Sequence, residues 1–352
     1  MKRPVIVADD RIPFLQGVLE PYCDVTYLPG GKIDRNAVRN ADALITRTRT
    51  RCNAELLAGS TVRLITTATI GFDHIDTDYV EKSGITWFNA PGCNAASVRQ
   101  YIASALLSLA AKYGFSLAGK TLGVVGVGHV GKLVADLGER WGMRVLRNDP
   151  PRAAAEGPAG FSSLEETVRE ADFLTFHVPL DNTTYGMADA RLISAMKPAA
   201  FLLNASRGEV VDPRDLKTAL RKRKIAGAVL DVWENEPEID RELLDLVDYG
   251  TPHIAGYSTD GKANGTAACV RNTAAFFGLD ELRNWSPETL PAAPEITEPA
   301  GISGQAARKF VLDQFYDITE DDRMLRNAPE TFEALRGTYR IRREAPLERM
   351  FD

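Results

Sequence analysis

Short apolar runs recur along the first ninety positions, at residues 5–8, 25–28, 43–46, 64–67 and 85–88, each separated from the next by a helix-length spacer. Strands spaced in this way predict βαβ units and a parallel sheet. A long apolar helix is expected over 95–113. Beyond it the run 122–125 enters a glycine-rich turn, a helix is expected over 132–141, and a strand over 143–146. Further strands are expected at 173–176, 201–204 and 228–231, which complete a second sheet, and a helix over 258–278. The fold class read from this pattern is α/β, with two doubly wound parallel-sheet domains. Residues 285–301, WSPETLPAAPEITEPAG, are rich in proline and lack periodicity, which marks a linker. The tail after Ser303 is charged, yet it carries Phe310, Phe315, Tyr316 and Phe332, aromatics that need burial. It reads as a small accessory or oligomerisation domain.

The turn LGVVGVGHVG, from Leu122 to Gly131, carries the first chemistry. Gly126 permits a tight turn, Gly128 lets backbone approach a pyrophosphate, and Gly131 lets the helix pack closely on the strand. His129 and Val130 fill the positions between, with His129 facing solvent or the pyrophosphate. Unpaired N–H groups at the helix start favour an anion there. Asp149 stands just past the next strand. A carboxylate at that place accepts the ribose hydroxyls and repels a 2′-phosphate, which favours NAD over NADP.

Length and charge narrow the field. A chain of 352 residues exceeds the usual limit for one core, so two or three domains are expected. A net charge of -6 argues against a nucleic-acid binder. Cys23, Cys52, Cys93 and Cys269 are scattered and the four histidines show no metal-ligand spacing, so no metal is expected. Reduced thiols, a start (MKRPVIVADDRIPF) without a long apolar core, and the lack of a membrane-length apolar run point to the cytoplasm and away from a membrane. Cys93, in APGCNA, lacks an evident basic partner and is not assigned chemistry.

Removing a hydride from a carbon that bears a hydroxyl requires a base, a cation for the substrate carboxylate and a fixed nicotinamide. His253, in GTPHIAGY, is the candidate base, since its charge changes near neutral pH. Glu236, in DVWENEPE, is its partner, fixing the tautomer and supporting the imidazolium. Arg207, in NASRGEVVD, follows an apolar run, where ligands bind in open α/β sheets, and its planar fork suits a carboxylate. ITRTRTR, residues 45–51, places Arg47, Arg49 and Arg51 where alternation along an extended segment would set them on one face around a phosphate. His74 is read as support for a helix start. His177 follows a strand near the cofactor site and is given no chemistry.

NASRGEVVD, GAVLDVWENEPE and TPHIAG, with the glycine turn, resemble the signature segments of the D-isomer-specific 2-hydroxyacid dehydrogenases. The resemblance implies Arg207, Glu236 and His253 as the catalytic set and Asp231 near the nicotinamide. It also implies a flavodoxin-like substrate domain formed by 1–92 and 253–284, an inserted NAD-binding Rossmann domain over 93–252, and a linker with a C-terminal dimerisation domain over 285–352. TATIGFDHID, APGCNAASVRQY, NDPPRA, LTFHVPL and GTPHIAGYSTDGKANGT are similar to those members that act on a small phosphorylated 2-hydroxy acid and form homodimers. Carried over from these, Thr175, Ala205, Ser206 and Gly256 join Asp149, Arg207 and Asp231 along the cofactor, while Thr48, Thr69 and Tyr257 touch substrate. The chain departs from that pattern in Thr48, where serine is common, and in NASRG, where NACRG is common. Two alternatives stay open: a dehydrogenase for 3-phosphoglycerate or glycerate, and a non-enzymatic NAD-sensing regulator on the same scaffold.

Overall fold

The computed structural model describes residues 3–346. The described residues form two compact units, one from 3–94 with Ser258–Pro291, the other from Ala95–Tyr257 with 292–346.

In the first unit β1 (Val5–Asp9), β2 (Asp24–Leu28), β3 (Ala43–Thr46), β4 (Leu64–Thr67) and β5 (Thr86–Phe88) form one sheet. Its order is β2-β1-β3-β4-β5 and every pairing is parallel. The apolar runs do not alternate with polar residues because both faces are covered. Ile6, Ala8, Ile45 and Leu64 face one cluster, completed by Cys269, Val270 and Ala274 of the helix Thr259–Phe277. Val7, Leu44 and Ile65 face the other, completed by Val38, Leu56 and Val80. The helix lies so close that a Cβ on Gly265 would meet the Ala68 carbonyl oxygen at 2.5 Å.

The second unit holds β6 (Thr121–Val125), β7 (Arg144–Asn148), β8 (Phe173–Phe176), β9 (Phe201–Asn204), β10 (Gly227–Leu230) and β11 (Tyr249–Gly250). Their order is β11-β10-β9-β8-β6-β7, again all parallel. Leu122, Val124, Phe173, Leu203 and Val229 pack beneath the helices Ala95–Tyr113 and His129–Arg140. The opposite face, with Leu174, Phe176, Leu202 and Leu230, is covered by Val168, Ile193 and Leu216.

The helices after Ser303, Gly304–Asp313, Ile318–Asn327 and Phe332–Gly337, form the small C-terminal part and pack on this second unit. Leu312, Phe315, Tyr316 and Ile318 join the cluster under Ala95–Tyr113, and Ser104 Oγ accepts the Ile318 N–H at 3.1 Å. Phe332 is buried as well, whereas Phe310 is exposed. The return of the chain to the first unit begins at Ser258, later than position 253, which the family resemblance implied. Backbone bonds explain the delay: His253 N–H donates to the Asp231 carbonyl at 2.7 Å, and the next two N–H groups go to the Asp231 carboxylate.

Candidate active site

The glycine turn leaves β6 and enters the helix His129–Arg140. Gly126 has φ +82°, and a Cβ there would lie 2.6 Å from the His177 carbonyl oxygen. A Cβ on Gly131 would lie 1.9 Å from the Gly126 carbonyl oxygen, so the helix packs on the turn only because Gly131 lacks one. Gly128 faces open space, with nothing within 4 Å of an added Cβ. It is the N-cap of the helix and no side chain caps the free N–H groups. An exposed His129 and a half-buried Val130 begin that first turn. The arrangement fits a dinucleotide pyrophosphate: room at Gly128, unoccupied donors and the positive end of a helix dipole.

Asp149 follows β7 and holds the turn in place. Its Oδ2 accepts the Val127 N–H at 2.8 Å, while Oδ1 accepts the Arg152 N–H at 3.0 Å and caps the helix Pro150–Glu156. Arg152 is paired with Glu156 through two contacts of 2.7 Å. A carboxylate at the place of Asp149 repels a 2′-phosphate. Near the end of β8, Thr175 Oγ1 meets His177 Nε2, just past the strand, at 3.0 Å. Burial pushes the His177 imidazole down to about 3, so it is neutral near pH 7 and brings no charge to the site.

Past β9 the NASRG loop is organised by Asn204. Its Oδ1 accepts from Ser206 N at 3.0 Å and from Ser206 Oγ at 2.7 Å, and its Nδ2 donates to the Arg207 carbonyl at 2.8 Å. Ala205 and Arg207 are half-buried and Ser206 is buried. Gly208 then lies against the backbone after β10, where an added Cβ would meet the Trp233 carbonyl carbon at 2.0 Å. That contact brings Arg207 beside the loop that carries Glu236.

Glu236 and His253 are paired, Oε2 to Nδ1, at 2.7 Å. The other carboxylate oxygen accepts the Trp233 N–H at 2.9 Å, so both are fixed. Burial works to raise the Glu236 carboxyl, but the His253 hydrogen bond and charge, the Trp233 N–H and the Arg336 charge outweigh it and leave it below the usual range. His253 itself has φ +54°, a left-handed backbone that a residue with a Cβ adopts only when its surroundings enforce it. Asp231, 1% exposed, is the enforcing group: its carboxylate accepts from Ile254 N at 2.8 Å, Ala255 N at 2.9 Å and Thr251 Oγ1 at 2.7 Å. Thr251 in turn meets the Tyr101 hydroxyl at 2.9 Å and takes the Trp233 indole N–H on its carbonyl at 2.9 Å.

Asn204, Trp233, Thr251 and Tyr101 were missed by the sequence reading, because each acts on a partner the linear order does not announce. Gly256 lies in the turn that follows, half-buried. Tyr257 stands edge-on to Tyr339, 5.9 Å between centroids, with the Arg336 guanidinium 5.7 Å from its ring. The C-terminal part therefore reaches the residues next to the dyad.

In the first unit the expectation for residues 45–51 needs correction. β3 ends at Thr46, and the chain then turns, with Thr50 N–H directed to the Arg47 carbonyl at 3.4 Å and Thr50 Oγ1 to the Gly30 carbonyl at 2.9 Å. The segment is not extended, so alternation does not align the three arginines. Arg47 commits two donors to the fully buried Asp9, at 3.1 and 3.2 Å, while Thr48, Arg49 and Arg51 are exposed. Arg47 stands just past β3 and Asp9 ends β1, where the strand order reverses, the place at which open α/β sheets take ligands. Thr69 Oγ1 meets Thr67 Oγ1 and the Gly71 carbonyl, both at 2.8 Å. His74 lies shortly before the helix Thr77–Lys82 and meets Thr46 Oγ1 at 3.4 Å; burial pushes it down to about 4.

Among the described residues no cluster of histidine, cysteine and acidic side chains is arranged to hold a metal, and no helix is long and apolar enough to cross a membrane. None of the four cysteines forms a disulfide; Cys93 is half-buried and the others are buried.

Residues 95–255 match the family described as D-isomer specific 2-hydroxyacid dehydrogenase, NAD binding domain. The erythronate-4-phosphate dehydrogenase of Bacteroides thetaiotaomicron is 47% identical over 350 residues, covering 96% of this chain and 97% of its own. The chain belongs to the D-isomer specific 2-hydroxyacid dehydrogenases. Another dehydrogenase of this family with the same name, from Escherichia coli, is 41% identical over 348 residues, covering 96% and 92%. Among solved structures, D-lactate dehydrogenase from Aquifex aeolicus, complexed with NAD and lactic acid, superposes with a TM-score of 0.68 at 28% identity. It covers 82% of this chain and 100% of its own.

Proposed function

We propose that this dehydrogenase oxidises 4-phospho-D-erythronate to (R)-3-hydroxy-2-oxo-4-phosphooxybutanoate with NAD, within pyridoxal 5′-phosphate (vitamin B6) biosynthesis. One observation carries the chemical part. The glycine turn, Asp149, Thr175, Arg207, Asp231, Glu236 and His253 all lie at or just beyond the carboxyl ends of strands of a single parallel sheet. The substrate follows from the name shared by relatives that match nearly the whole chain.

The roles follow from which atoms are committed. His253 Nδ1 is taken by Glu236, so Nε2 is the atom that accepts the proton from the substrate's 2-hydroxyl. Glu236, held ionised by that same contact, stabilises the imidazolium that results. Arg207 grips the substrate carboxylate. NAD, when bound, supplies the hydride acceptor for C2. Gly126, Gly128, His129, Val130 and Gly131 would hold its pyrophosphate, Asp149 its ribose, and Thr175, Ala205, Ser206, Arg207, Asp231 and Gly256 its remaining length. Arg47, Thr48, Thr69 and Tyr257 are assigned to the substrate. A homodimer in the cytoplasm completes the reading.

Nicotinamide absorbance on purified protein tests it, with 4-phospho-D-erythronate, 3-phosphoglycerate, D-glycerate and lactate in parallel and a 2-oxo acid present to reoxidise any retained cofactor. The expected result is a kcat/KM for 4-phospho-D-erythronate above the unphosphorylated acids by about 10²-fold or more, because a site built for a polar group rejects analogues that leave it unpaired. A preference for 3-phosphoglycerate or glycerate would assign the chain to another substrate. Absence of turnover on every acid would favour the regulator.

A further inference from the structure

We propose that Arg342, in the C-terminal part, is a positioning residue for His253; the inference rests on the reading of His253 as the base. The two residues after His253 are held on both sides of their backbone. Asp231 takes the N–H groups of Ile254 and Ala255 at 2.8 and 2.9 Å. Arg342 takes their carbonyls, Nη1 to Ile254 at 3.2 Å and Nη2 to Ala255 at 3.2 Å. One buried acid and one buried cation thus fix two consecutive peptide units next to a residue whose φ is +54°.

Arg342 is 1% exposed and its guanidinium makes its other contacts nearby, Nη2 donating to the Ser97 carbonyl at 2.7 Å and Nε to Gln100 Oε1 at 3.4 Å. Its Cζ sits 3.8 Å from the centre of the buried Tyr316 ring. Burying a cation costs several kcal/mol unless its donors are used, and here the donors converge on the loop that carries the base. A left-handed histidine persists only where its neighbours over-determine it. Without Arg342 the carbonyls of Ile254 and Ala255 lose their charged donor, His253 relaxes, and Nε2 leaves its working position. The C-terminal part then serves the chemistry through a contact 88 residues away in sequence.

The test uses full-length Arg342→Met and Arg342→Lys, with kcat, KM for the substrate, NAD affinity and thermal midpoint measured on each. Arg342→Met is expected to lower kcat by about 10-fold or more, since an ångström of misplacement costs up to about 10²-fold, while KM and NAD affinity stay within about twofold. Arg342→Lys recovers part of the loss, because an ammonium still reaches one carbonyl. Wild-type kcat in a folded Arg342→Met, losses tracking KM or NAD affinity, or no recovery in Arg342→Lys would each overturn the proposal. Should Arg342→Met fail to fold, Arg342→Lys decides against wild type: lowered kcat with intact NAD affinity supports it, and equal kcat overturns it. His253→Ala runs beside them. If it keeps wild-type kcat the base assignment fails; if it is inactive while both Arg342 variants match wild type, only the present inference fails.

Discussion

Glu236 and His177 in the second unit are both shifted away from their ordinary ranges, and the causes differ. Glu236 is kept ionised by His253, Trp233 and Arg336 against the pull of burial, so its stabilising contribution is complete above the ordinary glutamate range, near pH 4.3. It is lost only as pH falls through the lower folded value. His177 is the reverse case: burial alone holds it neutral, down to about 3 from the usual value near 6.5. His74 in the first unit is similar, at about 4. Between pH 6.5 and these values the unfolded chain binds protons that the folded chain refuses, so stability declines as pH falls across that window. Urea unfolding at a series of pH values should show the decline, and His177→Gln should make it shallower. An unchanged slope in that variant would show that His177 is not buried in a way that resists protonation. The neutral His177 was not legible in the sequence, which places a histidine after a strand but does not reveal what covers it.

The elements were more readable, for a physical reason. A parallel strand covered on both faces reads as a near-continuous apolar run, and residues 43–46, 64–67, 173–176 and 201–204, apolar but for threonines and Asn204, have matching boundaries in the fold. The helix over 95–113 was equally plain, since it is apolar nearly all round and buried along most of its length. Residues 45–51 failed because period-two alternation of arginine and threonine looks the same in a strand and in a turn; only Thr50 folding back onto Gly30 distinguishes them. The glycine turn gives a test at this scale. Gly128→Ala has φ −74° and open space around it, so it should fold with wild-type stability yet bind NAD at least about 10-fold more weakly, the methyl occupying the pyrophosphate's approach. Gly131→Ala must push aside the Gly126 carbonyl, which should lower stability by about 1–3 kcal/mol and weaken NAD as well. Calorimetry and thermal unfolding separate the two; equal NAD affinity in Gly128→Ala would remove the pyrophosphate from that turn.

At the scale of the whole molecule, the sequence supplied the order of the chemistry-bearing segments, and the second sheet supplies the reason they work together. Parallel strands all present their carboxyl ends on one side, so loops from 126 to 253 gather there although more than a hundred residues separate the first from the last. What stayed hidden was the polar wiring. Asn204, Thr251 and Arg342 act through partners that no local pattern announces, and the aromatics of the tail signalled burial without saying against what. The C-terminal part proved to be packed on the second unit, with Arg336 and Arg342 both directed to the segment around the dyad. The central claim is that His253 moves the proton in this reaction while the glycine turn independently holds NAD. The most direct measurement is single-turnover oxidation of 4-phospho-D-erythronate by His253→Ala, with NAD affinity determined on the same preparation. The account predicts a rate lower by about 10²–10⁴-fold with NAD affinity unchanged; a wild-type rate, or a rate loss matched by an equal loss of NAD binding, would contradict it.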